Sequence, residues 1–177
     1  MGAKKDTFKQ MDAYLMNFID GLKWFDKDKQ QFEDIDNNVM PLPAVLMSFG
    51  RTPYENQGEN IKHGNVNIRF RIGFENYADS YTGSINQDKA LEFFDFNEAV
   101  FSALQGLDLQ YVKNLDLTAD EDDVQNKNVI VTVLEFSGTL IIDTSNVQSV
   151  TPGLKLNPVK EVARPPKEEN TFFYTTD

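Results

Sequence analysis

The sequence contains no cysteine and one histidine, His63, among its 177 residues. Without cysteine the chain has no disulfides, no thiolate-bound zinc, no iron–sulfur cluster and no thiol nucleophile. A single histidine is also too few for a metal site built on two or three histidines of one chain. These absences exclude several large classes of enzyme chemistry and predict that the chain holds no such metal.

Long apolar runs and closely spaced glycines are missing as well. No stretch approaches the roughly 18 apolar residues of a membrane-spanning helix. No apolar segment follows the N-terminal lysines, so we expect no signal peptide. The ten glycines include no Gly-x-Gly pair and no Gly-x-Ser-x-Gly nucleophile elbow. We therefore expect no membrane partner, no nucleotide or other cofactor and no catalytic residues.

Acidic side chains outnumber basic ones, 28 to 17, and the formal charge is -11. The whole excess lies in residues 1–143, with 24 acidic and 13 basic residues, whereas residues 144–177 carry four of each. Binding to nucleic acid phosphates requires clustered lysine and arginine. The sequence therefore predicts a protein whose surface repels DNA.

Apolar periodicity predicts an α+β fold for residues 1–143, with a mainly antiparallel four-stranded sheet and two helices packed on one face. A proline- and glycine-containing stretch, 51–64, is predicted to be a long loop. In the last strand, Val129, Val131 and Val133 lie opposite the main apolar face, which predicts burial on both sides. The predicted elements are helix 7–26, strand 44–47, strand 66–74, helix 86–105 (apolar stripe Leu91, Phe94, Phe101 and Leu104, widened by Ala90 and Val100), strand 111–118 and strand 129–142.

Residues 144–177 differ from the rest and are predicted to form an extended C-terminal arm. They contain four scattered prolines and almost no periodicity, and they include Phe172, Phe173 and Tyr174. Termini are commonly disordered, but three consecutive aromatics left exposed would be an apolar liability. We favour an arm anchored by these aromatics in a neighbouring subunit, with plain disorder as the alternative.

Few residue groups are candidates for chemistry. His63 lies in a polar stretch and is expected to be solvated or at an interface rather than part of a Ser-His-Asp site. The run Asp34–Asn38 resembles the start of a calcium loop, but Val39 and Val45 stand where that loop needs glycine and glutamate. We therefore predict no metal site there.

The acidic run 120–123 is predicted to be a turn, and three roles are open to it. Such carboxylates are usually solvated; they can also hold a divalent cation, or line the bore of a ring and repel DNA phosphates. The residues concerned are Asp120, Glu121, Asp122 and Asp123.

Arg69 and Arg71 share one face of the strand 66–74. They are able to bind an anion or to pair with acidic neighbours across the sheet or between subunits. We favour pairing, which makes them candidate residues of a subunit interface.

The order and pattern of these elements resemble the tail terminator (tail completion) proteins of long-tailed bacteriophages. The resemblance covers roughly residues 7–143 and contains no diagnostic motif. Its parts are an opening amphipathic helix, the proline-led strand Leu42–Phe49, a long loop, the alternating strand Val66–Phe74, the helix around Leu91–Val100 and the closing strand Val131–Asp143.

The resemblance implies a non-enzymatic virion protein of the tail or neck, assembled in the host cytoplasm. A terminator subunit forms a ring, typically a hexamer, that caps the tail tube, stops its polymerisation and docks to the head connector. Expected partners are further copies, the tail tube protein and a head-closure or connector protein, with DNA passing through without specific binding. In that family loops line the bore, and 119–128 is the corresponding loop here.

Three alternatives stand beside the terminator. Another neck ring, a head-closure or connector protein, would share most of these features. An acidic-surface binding or immunity domain would be a monomer that inhibits a DNA-binding protein. A metal-dependent hydrolase would use Asp120, Asp122 and Asp123, with help from Glu75 or Asp79.

Overall fold

The computed structural model describes residues 2–34, 40–58, 60–75, 79–123 and 129–143. These described residues form an α+β fold of two helices and six strands, which confirms the predicted class. In chain order the elements are α1 (Ala3–Phe18), β1 (Trp24–Lys27), β2 (Ala44–Phe49), β3 (Tyr54–Gly58), β4 (Ile61–Glu75), α2 (Gln87–Leu104), β5 (Val112–Asp123) and β6 (Val129–Asp143).

All six strands belong to one sheet, in the order β1-β2-β4-β6-β5, with β3 paired to the beginning of β4. Only the β1–β2 pair is parallel; the other described pairs are antiparallel. The sheet is therefore mainly antiparallel as predicted, and it contains two strands, β1 and β3, beyond the four expected.

Both helices pack on one side of the sheet, here called the helix face. Alternate residues of β4, Val66 to Ile72, meet Met11 and Leu15 of α1 and the buried side of α2 in the main core. This alternation follows from the period of two along a strand. Phe70 and Phe136 meet edge to face at its centre, with ring centroids 5.8 Å apart.

The opposite side, the far face, carries a smaller second core. Phe32, from the 28–34 segment that follows β1, is buried with Ala44, Leu46, Val129 and Val131. The prediction that β6 begins with both sides covered is thus confirmed. Gly73 lies directly beneath the ring, and a Cβ there would overlap Phe32.

The first helix ends earlier than predicted, at Phe18 rather than near residue 26. Ile19 already takes an extended conformation (φ -99°, ψ 108°), and Gly21 then turns the chain with a φ of +81°, a left-handed conformation that glycine adopts at little cost. The chain then enters β1, which pairs with β2 from Trp24↔Ala44 onward. Phe25 still reaches the core and packs 5.2 Å from Phe8, so apolar spacing alone did not reveal the break.

The predicted loop 51–64 contains a hairpin instead. Tyr54–Gly58 is exposed along its whole length and pairs with the beginning of β4. A strand held by backbone hydrogen bonds outside the core has no reason to alternate apolar and polar residues. The prediction of a loop is therefore wrong for residues 54–58 and also for 61–64, where β4 begins.

The predicted stripe of α2 is confirmed in part. Ala90, Val100 and Leu104 are buried as predicted, whereas Phe94 is 55% exposed and Phe96 is buried in addition. Residues 144–177, with the predicted arm and Phe172, Phe173 and Tyr174, lie outside the described residues. The division of the chain at 143/144 therefore stays a prediction.

Candidate functional site

The acidic run 120–123 is the end of strand β5 and not a turn, which corrects the prediction. Pairing with β6 continues to Asp123↔Val131. Successive side chains of a strand point to opposite faces. Asp120 and Asp122 therefore lie on the helix face, and Glu121 and Asp123 on the far face. The rest of the predicted bore loop, residues 124–128, lies outside the described part of the chain.

On the far face Arg69 forms an exposed ion-pair cluster. Its Nη2 donates to Glu121 Oε1 at 2.9 Å, and its Nε lies 3.5 Å from Glu135 Oε1. The Arg69 side chain is 44% exposed. Solvent screens such a pair, so its contribution to stability is small.

Arg71 lies one pleat further along β4 and is buried, with a side chain only 5% exposed. Its Nη1 lies 2.8 Å from Glu33 Oε1 and 3.6 Å from Asp28 Oδ1, and its Nη2 lies 2.9 Å from Asp123 Oδ2. The guanidinium carbon is also 5.5 Å from the centre of the Phe32 ring. Arg71 thus joins the 28–34 segment to the end of β5.

These contacts bear on the roles predicted for the two arginines. Both guanidinium groups have carboxylate partners in their own chain, across the sheet. That is the pairing alternative favoured from the sequence, and it leaves little reason to expect anion binding. Their use at a subunit interface stays a prediction.

On the helix face the other two carboxylates line a groove between α2 and the β5–β6 pair, here called the α2–β5 groove. Asn97 Nδ2 donates to Thr132 Oγ1 at 2.8 Å, and the Thr132 hydroxyl donates to Asp122 Oδ1 at 3.2 Å. The groove encloses about 590 Å³, and its lining residues are Phe94, Asn97, Glu98, Phe101, Leu117, Asp120, Glu121, Asp122, Thr132 and Leu134.

The groove combines an apolar floor with an acidic rim. The floor includes Phe94, which is 55% exposed, and the partly buried Phe101. Among the described residues, no lysine or arginine forms an ion pair with Glu98, Asp120 or Asp122. Sequence reasoning missed this groove because it placed Phe94 in the core. The only signal was that α2 has more phenylalanines than one buried stripe can hold.

A second groove lies on the other side of α2 and encloses about 580 Å³. Phe18 of α1, 67% exposed, and Phe74 contribute apolar surface there. Its acidic residues are Asp20, Glu75, Glu92 and Asp95, and Lys23 also lines it. Both sides of α2 are therefore acidic.

The other residues singled out from the sequence, among those that the structure describes, do not come together in one site. His63 lies on β4 opposite Glu55 of β3. Asp123 points away from Asp120 and Asp122, so the three carboxylates of the hydrolase alternative do not converge. Within the described ranges, no group of three or more His, Asp or Glu side chains is arranged to hold a metal ion. Of the calcium-like run, Asp34 alone is described.

The described part of the chain is thus an α+β domain with an acidic end to its sheet, and it contains no helix long and apolar enough to cross a membrane. No protein-family model and no curated protein matches the sequence. Among solved structures, a chain in the virion of a native gene transfer agent (GTA) particle is similar at a TM-score of 0.41 and 14% identity, over 76% of this chain and 90% of that chain. Similarity at this level transfers neither a function nor a partner.

Proposed function

We propose that this chain is a structural, non-enzymatic virion protein of a phage-like particle, and specifically a tail terminator. The observation that carries the proposal is the order of the elements. An opening helix, a proline-led strand, a long alternating strand, a second helix and a closing strand follow one another as in the terminator family. The five longest elements, α1, β4, α2, β5 and β6, form most of the sheet and the helices that cover one of its faces.

The acidic end of the sheet supports passage of DNA past the subunit. Asp120 and Asp122 are exposed and lie on a paired strand, so their position is fixed by the sheet. Repeated around a ring, such carboxylates repel phosphates and disfavour adhesion of the duplex. The predicted bore residues are Asp120, Glu121, Asp122 and Asp123; in the proposal Asp120 and Asp122 provide the repulsion, because Glu121 and Asp123 pair with Arg69 and Arg71.

In this proposal copies of the chain form a closed ring, a hexamer, at the head-proximal end of the tail tube. One side of the ring stops addition of tail tube protein, and the other side docks to a head-closure or connector protein. The protein is located in the virion neck and, during assembly, in the host cytoplasm.

Tail tubes provide the direct test. The purified chain, added to polymerising tail tube protein, is expected to stop growth, so that electron micrographs show shorter tubes with one capped end. Asp120→Asn/Asp122→Asn should cap tubes as wild type does, because the bore carboxylates act on DNA. Tubes that grow to the same length with and without the protein would contradict the terminator role.

Two other functions are consistent with some of the same observations. A neck ring of the head-closure or connector class would form rings that bind the connector without capping tubes. The acidic row of α2, Asp88, Glu92, Asp95 and Glu98, favours instead an acidic-surface binding domain. Such a domain would stay monomeric and inhibit a DNA-binding protein.

A further inference from the structure

The second groove, on the side of α2 away from β5, has exposed apolar surface. Phe18, 67% exposed, Leu42 and Phe74 supply its apolar part. The Phe18 ring stacks on Tyr14 with ring centroids 4.5 Å apart, so it is held in this exposed position. Apolar surface of this kind, rimmed by polar residues, is typical of a site that binds another chain.

The rim of the second groove is negative. Four carboxylates line it, those of Asp20, Glu75, Glu92 and Asp95, and Lys23 is its one basic residue among those that the structure describes. Within the same described ranges, no lysine or arginine forms an ion pair with Asp20, Glu92 or Asp95. The groove therefore fits a chain segment that is both apolar and basic.

Residues 154–167, here called the basic segment, have that composition. They belong to the predicted C-terminal arm and lie outside the described residues. Their only acidic residue is Glu161. The basic residues are Lys155, Lys160, Arg164 and Lys167, and the large apolar residues between them are Leu154, Leu156, Val159 and Val162.

The aromatic end of the arm, residues 172–174, has the opposite charge around it. Glu168, Glu169 and Asp177 flank it, and no basic residue follows Lys167. Its charge does not match the second groove, so the basic segment is the part of the arm that fits there.

The length of the sheet favours the groove of another copy. β4 and β6 pair from Ile61↔Asp143 at one end to Glu75↔Val129 at the other. Asp143 is therefore about 46 Å from Glu75, which lines the second groove, at about 3.3 Å per residue. The chain from Asp143 to Leu154 spans at most about 40 Å when fully extended. The start of the basic segment thus falls short of Glu75 in its own chain.

We propose that the basic segment of one copy binds in the second groove of a neighbouring copy. Its lysine and arginine side chains pair with the carboxylates of the rim, and its leucines and valines cover Phe18 and Phe74. The contact lies on the other side of α2 from the α2–β5 groove, so it leaves Asp120 and Asp122 uncovered. Segment and groove differ, which makes the contact heterologous and able to repeat around a ring. The inference rests on the proposed ring and names a contact that joins its subunits.

The absence of cysteine allows a clean cross-linking test of the full chain. A variant with Asn157→Cys in the basic segment is mixed with one carrying Ala99→Cys, an exposed position in the second groove, under mild oxidation. We expect a disulfide-linked heterodimer. The control pairs Asn157→Cys with Lys29→Cys, an exposed position of the 28–34 segment. Heterodimer no more abundant than in that control overturns the proposal.

A double variant distinguishes the neighbouring copy from the same chain. Ala99→Cys/Asn157→Cys is diluted into an excess of wild-type chain before oxidation. We expect its two thiols to stay free, because each lies against a wild-type copy without cysteine. An intrachain disulfide would place the segment in its own groove and overturn the proposal.

A charge swap tests the same contact in solution. Lys160→Glu/Arg164→Glu should raise the concentration needed for assembly about tenfold, since two exposed ion pairs are lost. Adding Glu92→Lys/Asp95→Lys should restore assembly to within about threefold of wild type. The matched control, Asp88→Lys/Glu98→Lys, makes the same change of charge on the same helix outside the second groove and should not restore it.

The outcomes separate this inference from the proposed function. Rings that assemble equally well with the reversed segment overturn the contact and leave the terminator proposal intact. A swap that restores assembly no better than its control overturns the contact as well. Cross-linked rings that do not cap tubes support the contact and remove the terminator role.

Discussion

At the scale of single residues, Arg71 connects three parts of the chain that are far apart in sequence. Its guanidinium reaches carboxylates of the 28–34 segment and of β5, and it lies beside the Phe32 ring. A buried ion pair adds little by itself, but removal of one partner leaves the others uncompensated. Arg71 therefore fixes the 28–34 segment and the acidic strand end relative to β4.

Replacement of Arg71 should therefore cost much more stability than replacement of Arg69. We expect Arg71→Met to lower the free energy of unfolding by about 3 kcal/mol. Arg69→Met, which breaks exposed pairs of the same kind, should lower it by less than about 1 kcal/mol. Urea unfolding followed by circular dichroism measures both. Equal losses would mean that the buried cluster has no special role.

Phe32 supports the same segment through packing. Its side chain is 1% exposed and fills the space above Gly73. Phe32→Ala should cost about 3 kcal/mol, because it removes buried apolar surface and leaves a cavity. Tyr81→Ala, at a residue 65% exposed, is the matched control and should change stability by less than about 0.5 kcal/mol. A loss below 1 kcal/mol for Phe32→Ala would contradict its placement in the second core.

At the scale of elements, the junction between α1 and β1 contains one left-handed backbone conformation. Gly21 has a positive φ, and a Cβ built on it meets nothing within 4 Å. Any loss of stability on substitution of Gly21 must therefore come from backbone strain rather than from steric overlap of the new side chain.

Substitutions at Gly21 should therefore rank by their tolerance of the left-handed region. Gly21→Ala should lower the free energy of unfolding by about 1 kcal/mol, and Gly21→Asn by less, since asparagine visits this region more readily. Thermal unfolding of the two variants tests the order. An asparagine variant less stable than the alanine variant would contradict the assigned backbone conformation.

The elements also show what the sequence predicts and where it stops. The strict alternation of Val66–Phe74 predicted β4, and the extra valines of β6 predicted its second buried side. Pairing of Arg69 and Arg71 followed from their shared face and the acidic composition. Burial of Phe32 could not be predicted in this way, because it depends on contact with Gly73, which is distant in sequence.

The acidic strand end was mistaken for a turn for a related reason. Four consecutive carboxylates are unfavourable in an isolated strand. Here Arg69 and Arg71 of β4 neutralise the two that reach the far face. The two arginines lie on β4, on the other side of β6 from β5. The sequence of residues 120–123 therefore contains no sign of the ion pairs that stabilise them.

At the scale of the whole molecule, the chain carries a formal charge of -11. The excess of acidic residues lies wholly within residues 1–143, and the end of β5 concentrates part of it. Any approach of a duplex to this surface costs electrostatic free energy, which grows as salt is removed.

We therefore expect no binding to duplex DNA, even at low ionic strength. Gel-shift measurements should show free DNA at up to about 100 µM protein, which covers the usual range of non-specific binding. Asp120→Lys/Asp122→Lys is the informative variant, since it reverses the charge of the strand end on the helix face. A shift with wild-type protein that weakens as salt is added would contradict the repulsive surface.

The central claim is that copies of this chain form a closed ring at the end of a tail tube. The most direct test is the mass of the full chain by light scattering, with negative-stain images of the same sample before and after tail tubes are added. The account predicts a species near six subunits, seen as rings with a bore wide enough for duplex DNA. A strict monomer that forms no rings, alone or on tubes, would contradict it.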